Sequence, residues 1–411
     1  MPGIDCLARL VDDPVALRSA ILLAGMHFSF QFGGLASFEP TFLFHKVEII
    51  NLINQWIASR DRRLESAIIR QIATLAFTEI CHGELVAAET HMSGIMAMVE
   101  TSHDGQKHPS IPNCGRSIDQ ELTNRYFVLS YGFLCGLKSL LSGISQAGGY
   151  ADNIKLLSGK KLVELSHQWH TSEALQSLAF KLKALRLCPF FFSPLPPGAQ
   201  LKSADGNFIM KILRELTLGI DQAFVGRFAE PSDARFDSFW RQGPASRLLE
   251  EFVIAHVQSI SVNGNNAGDS QAQQSSFTGP WCGIVIASVF YMEHILGVLG
   301  AVDKSIHKYA ITLFQQDVAM SLADESGPRN NEFLLWQLLL GLISSRVYQR
   351  DKDTRGLSSI TRFLQKALRQ QAQTLGVASW SEAKAMLLKV VWPVRCAEDG
   401  FMRDLWNDAV L

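Results

Sequence analysis

The sequence predicts an all-α fold, a single large array of helices, and three observations support this prediction. Apolar residues recur at steps of three and four along much of the chain, as they do on one face of a helix. Evenly spaced alternating runs with hairpin turns, which would predict a sheet, do not occur. Hydrophobic residues make up 47% of the 411 positions and charged residues 19%, which favours a large buried core over a disordered chain.

Two stripes in the N-terminal part predict helices. The more regular stripe is wholly apolar and consists of Leu64, Ile68, Ile72, Leu75 and Ala76. The stripe that precedes it has one polar member, Asn54, and consists of Val47, Ile50, Ile53, Asn54 and Ile57. Because both stripes follow the period of a helix, each predicts one amphipathic helix.

Two apolar stretches in the C-terminal part predict buried helices. Trp281 to Val302 is long enough to cross a bilayer, but Glu293 and His294 interrupt it, and a carboxylate in lipid is unfavourable. We therefore expect a buried core helix that is interrupted near Gly297, and no membrane span. Phe333 to Ile343 is apolar on nearly all sides and too short for a bilayer, so we expect it deep in the core.

Polar and helix-breaking residues divide the helical patterns. His103 to Ser117 contains two prolines and two glycines, which predicts a loop. Val262 to Gly279 is polar and rich in Gly, Gln and Ser, which predicts a mobile linker. We expect one helical domain over residues 1–411, with sub-parts 1–261 and 280–411 on either side of this linker.

Charge and cysteine content bear on partners and location. The 38 basic and 39 acidic residues give a net charge of −1, whereas a domain that grips DNA usually carries a basic surplus, so no direct DNA contact is predicted. The seven cysteines are scattered without C-x2-C spacing, so no structural zinc site is predicted. The N-terminal segment has acidic residues where a signal peptide needs a basic start, so we do not expect secretion.

The sequence shows no local motif of an enzyme. It contains no phosphate loop, no G-x-G-x-x-G after a strand and no G-x-S-x-G nucleophile elbow. We therefore predict no catalytic residue, no cofactor-binding residue and no cofactor, although a serine or cysteine site assembled in space stays open. Large aromatic residues could line a pocket, but core positions are the favoured prediction for Phe190, Phe191, Phe192, Trp240, Trp281 and Trp336.

A metal site is the one chemical candidate. Two E-x-x-H pairs, Glu79 with His82 and Glu164 with His167, have the spacing that di-iron carboxylate bundles use. Two further glutamates would be required, for which the chain offers Glu48 and Glu89. Because E-x-x-H is a short pattern that arises by chance, we favour solvated or hydrogen-bonded side chains for these residues and predict no metal.

Four stretches, taken in order, resemble one known family. The first is Leu17 to His27 with Phe44 and His45; the second is Ile72 to Val99 with Glu79, Gly83, His91 and Gly94. The third is Cys188 to Pro197 with Ile212, Leu213 and Leu216. The fourth is a closing pattern of Leu335, Trp336, Gly341, Leu375, Gly376, Trp380, Lys384, Leu388, Val391, Trp392, Leu405 and Trp406. Over nearly the whole chain, this order resembles the helical fungal-specific transcription factor domain that follows Zn2Cys6 clusters.

The resemblance implies a transcription-factor-like regulatory protein in the nucleus, with protein partners or a homodimer and a small-molecule effector. A fungal secondary-metabolite pathway is a natural target of such a regulator. A full factor of this family carries six clustered cysteines and a basic linker, which this sequence does not show, so we expect regulation without its own DNA-binding zinc cluster. The alternative is a pathway enzyme or a small-molecule-binding protein on the same helical scaffold, and the enzyme is the less favoured of the two functions.

Overall fold

Helices form nearly all of the regular structure in this computed structural model. The residues that it describes are 13–32, 35–61, 64–81, 84–104, 117–147, 195, 198–226, 244–261, 276–324, 330–349, 357–394 and 399–410. Within these residues, the strands are four segments of two residues each. The predicted all-α fold is therefore confirmed.

The chain divides into two compact units, Met1–Leu201 and Lys202–Leu411. The boundary thus precedes the linker predicted at 262–279, of which residues 262–275 lie outside the described residues. Unit 2 includes both sides of that linker because the two sides pair with each other. The strand Ala204–Asp205 runs antiparallel to Thr278–Gly279, so the end of the predicted linker is a short strand.

Unit 1 is a group of helices around one central helix. Its described elements are α1 (Pro14–Phe32), a 3-10 turn (Ala36–Phe38), α2 (Glu39–Ser59), α3 (Glu65–Cys81), α4 (Leu85–Asp104), α5 (Ile118–Ala147) and β1 (Gln200–Leu201). Every residue from 71 to 79 on α3 is buried, because α1, α2, α4 and α5 all pack on this helix. The predicted stripe with Ile72 and Leu75 is therefore buried, and the burial continues around the helix.

Unit 2 contains the longest buried segments. Its described elements are β2 (Ala204–Asp205), α6 (Asn207–Gly226), α7 (Pro244–Gln258), β3 (Ile260–Ser261), β4 (Thr278–Gly279), α8 (Trp281–Phe290), a π-helical turn (Tyr291–Ile295), α9 (Lys304–Ala323), α10 (Asn331–Gln349), α11 (Leu357–Leu375), α12 (Trp380–Val390) and α13 (Asp399–Val410). All residues of α8 are buried, and so are all residues from Phe333 to Ile343 on α10. Both predictions of buried helices are confirmed.

The interruption of the apolar stretch also lies near the predicted position. The π-helical turn ends at Ile295, and Gly297 follows with a φ of 63°, a left-handed conformation that favours glycine. On α10, Gly341 permits close packing, since a Cβ atom there would overlap the ring of Phe314. None of the helices in the described part of the chain is long and apolar enough to cross a membrane.

Three tryptophans gather around the C-terminal helices of unit 2. The ring centroids of Trp380 and Trp392 are 6.2 Å apart, and those of Trp380 and Trp406 are 6.3 Å apart.

The side chain of Arg214 donates to the carbonyl oxygens of Lys389 and Val390, which satisfies carbonyl groups at the end of α12 that lack a helical partner.

Candidate functional site

The π-helical turn of unit 2 carries the most unusual polar cluster among the described residues. The backbone N–H of Leu296 donates to the carbonyl of Tyr291 at 3.1 Å, the five-residue step of a π-helix. Such turns are rare and are frequent at functional sites. Here the turn contains Glu293 and His294, and the side chains of both residues contact α10.

A single hydroxyl group connects two histidines inside unit 2. The Oγ atom of Ser344 lies 2.8 Å from Nε2 of His294 and 3.2 Å from Nε2 of His307. Ser344 and His307 are fully buried. One turn further along α10, Tyr348 donates its hydroxyl to Glu293 Oε1 at 3.1 Å, and its ring stacks on His307 with centroids 3.5 Å apart. We refer to Glu293, His294, His307, Ser344 and Tyr348 as the buried histidine network.

Burial keeps both imidazoles neutral at pH 7. Desolvation lowers the pKa of His294 to about 4. Desolvation, and to a smaller extent the charge of His294 when it is protonated, lower the pKa of His307 well below 6.5. A neutral imidazole offers one N–H and one bare nitrogen. Opposite tautomers therefore satisfy the shared hydroxyl, which accepts from one Nε2 and donates to the other.

The network contains the residue types of a Ser–His–acid nucleophile, but its geometry differs from that arrangement. A catalytic triad has the serine and the carboxylate on opposite nitrogens of the ring. Here the same atom, Nε2 of His294, faces Ser344 Oγ and also lies 3.8 Å from Glu293 Oε2. The arrangement can share protons and fix three segments of unit 2 together, and its His294 ring does not have the orientation that a triad requires.

The metal candidates fall into two groups. Glu79 is buried on α3, where Lys46 Nζ lies 2.5 Å and His91 Nε2 lies 3.9 Å from its Oε1 atom. Its partner in the predicted pair, His82, lies outside the described residues, as do Glu164 and His167. The part of the chain that the structure describes contains no cluster of three or more His, Cys, Asp or Glu side chains suited to a metal ion.

The two other glutamates proposed for a metal set are paired with basic side chains. Glu48 lies 3.3 Å from Arg18, and Glu89 pairs with Lys138.

Two of the aromatic residues that were considered for a pocket have core positions. Trp281 and Trp336 are fully buried, and their indole N–H groups donate to the backbone carbonyls of Phe252 and Val391, at 2.8 and 3.0 Å respectively.

Sequence reasoning found only part of the buried histidine network. Glu293 and His294 stood out because they interrupt an apolar stretch. His307, Ser344 and Tyr348 did not stand out, since no local pattern marks them. They meet His294 only through the packing of the consecutive helices α8, α9 and α10, which a pattern within one helix does not reveal.

Unit 1 has an exposed apolar surface on α2. This helix buries Phe42, Ile49 and Ile53. Beside that buried face, a further row of residues repeats at steps of four and three, and we call it the α2 seam: Leu43, Val47, Ile50, Asn54 and Ile57. Three of its four apolar members, Leu43, Val47 and Ile57, are 47%, 54% and 48% exposed, and Ile50 has intermediate exposure. The stripe predicted from sequence therefore belongs to two faces, one buried and one exposed.

No protein family, no curated protein and no solved structure matches this chain. The resemblance to fungal transcription factor domains, and the nuclear location and regulatory role that it implies, therefore stay predictions.

Proposed function

We propose that the chain is a transcription-factor-like regulatory protein that acts through protein partners in the nucleus, on genes of a fungal secondary-metabolite pathway. The observation that carries this proposal is the α2 seam, in which large apolar side chains such as Val47 are about half exposed. A contiguous apolar patch bordered by polar residues is typical of a protein–protein contact site. The resemblance in sequence supports the same function.

The geometry of the buried histidine network favours a regulatory protein over a hydrolase. Ser344 is enclosed and shares its hydroxyl with two neutral histidines. Because Nε2 of His294 faces both the hydroxyl and the carboxylate of Glu293, this ring does not place the acid and the serine on opposite nitrogens as a triad does. The network is better suited to hold helices in place than to activate a nucleophile.

The test is transcript profiling of a deletion strain, paired with metabolite profiling. We expect the transcripts of one gene set to rise or fall together, and the wild-type gene to restore them. A gene with Val47→Asp should fail to restore them, because a carboxylate in the seam prevents apolar contact. Val86→Asp is the matched control, since Val86 is also exposed in unit 1 but lies on α4, outside the seam. Unchanged transcripts in the deletion strain would refute the proposal.

The alternative, a pathway enzyme or small-molecule-binding protein, is favoured by one observation, the π-helical turn beside Ser344. It predicts that Ser344→Ala leaves transcripts unchanged while one pathway intermediate accumulates. Ser288→Ala is the control, because Ser288 is an equally buried hydroxyl that donates to the carbonyl of Ile284 within its own helix. Accumulation with Ser344→Ala but not with Ser288→Ala would replace the regulatory proposal by this one.

A further inference from the structure

The α2 seam has the spacing of a two-helix interface. Leu43, Val47, Ile50, Asn54 and Ile57 follow steps of four, three, four and three, which are the alternating d and a positions of a heptad repeat. Within this repeat, Val47 and Asn54 occupy a positions. A single Asn at an a position is a device that specifies register and the number of helices, because its side chain can be satisfied by the same residue of a partner helix.

We propose that the α2 seam pairs with the α2 seam of a second copy of this chain, in parallel and in register, with the Asn54 side chains of the two copies opposite each other. The inference rests on the proposed function, since it identifies the partner of a protein that acts through protein contacts. A symmetric pair fits the seam because the same surface is complementary to itself, as a two-fold interface requires.

Charge allows the two seams to approach. No member of the seam is charged, and the positions beside it on its outer side are Phe44, Asn51 and Ala58. Lys46, on the inner side, directs its ammonium group to Glu79 in unit 1, at 2.5 Å. The two copies therefore meet without like charges facing each other, which would oppose association.

The available area indicates a weak dimer. An aromatic side chain buries about 150–250 Å² and an aliphatic one somewhat less, so Leu43, Phe44, Val47 and Ile57, each about half exposed, supply roughly 400 Å² per copy at most. Both copies together bury roughly 800 Å², which is below the about 1,000 Å² of a stable specific interface and in the range of weak, transient contacts. For a weak contact of this class we expect a dissociation constant on the order of 10–100 µM.

Sedimentation equilibrium of the full chain, over concentrations from about 1 to 300 µM that bracket this value, tests the inference. The wild type should shift from monomer to dimer, and Val47→Asp should remain a monomer. Ile57→Asp is a second seam variant that should behave in the same way. Val86→Asp, the matched control, should dimerise like the wild type. The circular dichroism and melting temperature of each variant establish that it is folded.

The variant Asn54→Val tests whether the two Asn54 side chains face each other in the dimer. If the two Asn54 side chains face each other, removal of this polar group from the seam should tighten dimerisation by at least about tenfold. A wild type that stays monomeric, equal loss in Val47→Asp and Val86→Asp, or an unchanged dissociation constant in Asn54→Val would each overturn the inference. If the wild-type chain is monomeric but deletion of its gene still changes transcripts, only the dimer is refuted. If the chain dimerises but deletion of its gene leaves transcripts unchanged, only the proposed function is refuted.

Discussion

The two units bury polar side chains in different ways. Unit 1 places the carboxylate of Glu79 against the ammonium of Lys46, and this lysine keeps 24% of its side chain exposed. Unit 2 places His307 and Ser344 where neither has any exposure, and there the imidazole is neutral at pH 7. The carboxyl group of Asp317, 1% exposed, instead accepts from a backbone N–H of α8. The contrast between the two sites follows from the cost of desolvation: the Glu79 carboxylate is kept by a cation that reaches water, whereas the fully buried imidazole of His307 stays neutral and uses hydrogen bonds.

The largest effect should come from acid, and it should be larger in unit 2. In unit 1, burial also lowers the pKa of His45 and of His91, but both side chains are less deeply buried than His294 and His307. His294 has a pKa of about 4 in the folded chain and about 6.5 when unfolded. Between these pH values the unfolded chain binds more protons, so the free energy of unfolding falls as the pH falls from 6.5 to 4. The full shift corresponds to about 3 kcal/mol at pH 4, and His307 acts in the same direction.

Hydrogen exchange measured by mass spectrometry, from pH 7 down to pH 4 with correction for intrinsic rates, checks this prediction. Protection of α10 in unit 2 should decrease more than protection of α3 in unit 1. A variant with His294→Gln should lose part of this pH dependence, since one titrating group is gone. Equal loss of protection in the two units would contradict the comparison.

Removal of one member of the ion pair should be the next largest effect, now confined to unit 1. Lys46→Met leaves the carboxylate of Glu79, which is 7% exposed, without its nearest cation. We expect unit 1 to lose about 2–3 kcal/mol of stability, somewhat less than a fully buried pair would lose, because Lys46 is partly exposed. Urea unfolding followed by circular dichroism measures the loss. The double variant Lys46→Met with Glu79→Leu should recover much of it, and failure to recover would show that packing, not charge, is responsible.

The Ser344→Ala variant should cost less than either change. It removes the hydroxyl that lies within hydrogen-bonding distance of His294 and His307, but both rings are neutral. An unsatisfied neutral group costs about 1–3 kcal/mol, and we expect about 2 kcal/mol here. Tryptophan fluorescence during urea unfolding reports mainly on unit 2, because five of the six described tryptophans lie there and only Trp56 lies in unit 1: Trp281, Trp336, Trp380, Trp392 and Trp406. Ser288→Ala should cost clearly less, and equal costs would argue against a special role of the shared hydroxyl.

The extent to which the sequence predicts this molecule depends on how local each feature is. The buried helix at 281–290 and the interruption near Gly297 both lie within one continuous stretch of sequence, so both were predicted. The pairing of Ala204 with Gly279 was not predicted, because the two residues are far apart in the chain. The network around Ser344 was missed for the same reason. The exposure of Val47 was missed because periodicity shows that a stripe exists, not which neighbour covers it.

The smallest expected effect concerns a feature that the two units share. In unit 1, Thr74 Oγ1 lies 2.9 Å from the hydroxyl of Tyr126, and in unit 2, Thr217 Oγ1 lies 2.7 Å from the hydroxyl of Tyr291. Both threonines also donate to the carbonyl four residues earlier. Since a hydroxyl has a single proton to donate, the tyrosine must be the donor in each pair.

Tyr126→Phe and Tyr291→Phe should therefore cost about the same, about 1 kcal/mol each, because each threonine keeps its bond to the backbone and the hydrogen bond that it loses is between neutral groups. Urea unfolding of both variants, with circular dichroism as the probe, measures the two costs under identical conditions. Equal costs would show that a neutral hydroxyl pair contributes the same in both units, so that their different responses to acid and to Lys46→Met come from charge. A difference of more than about 1 kcal/mol would instead mean that the surrounding helices, and not the ionisable groups, set the two units apart.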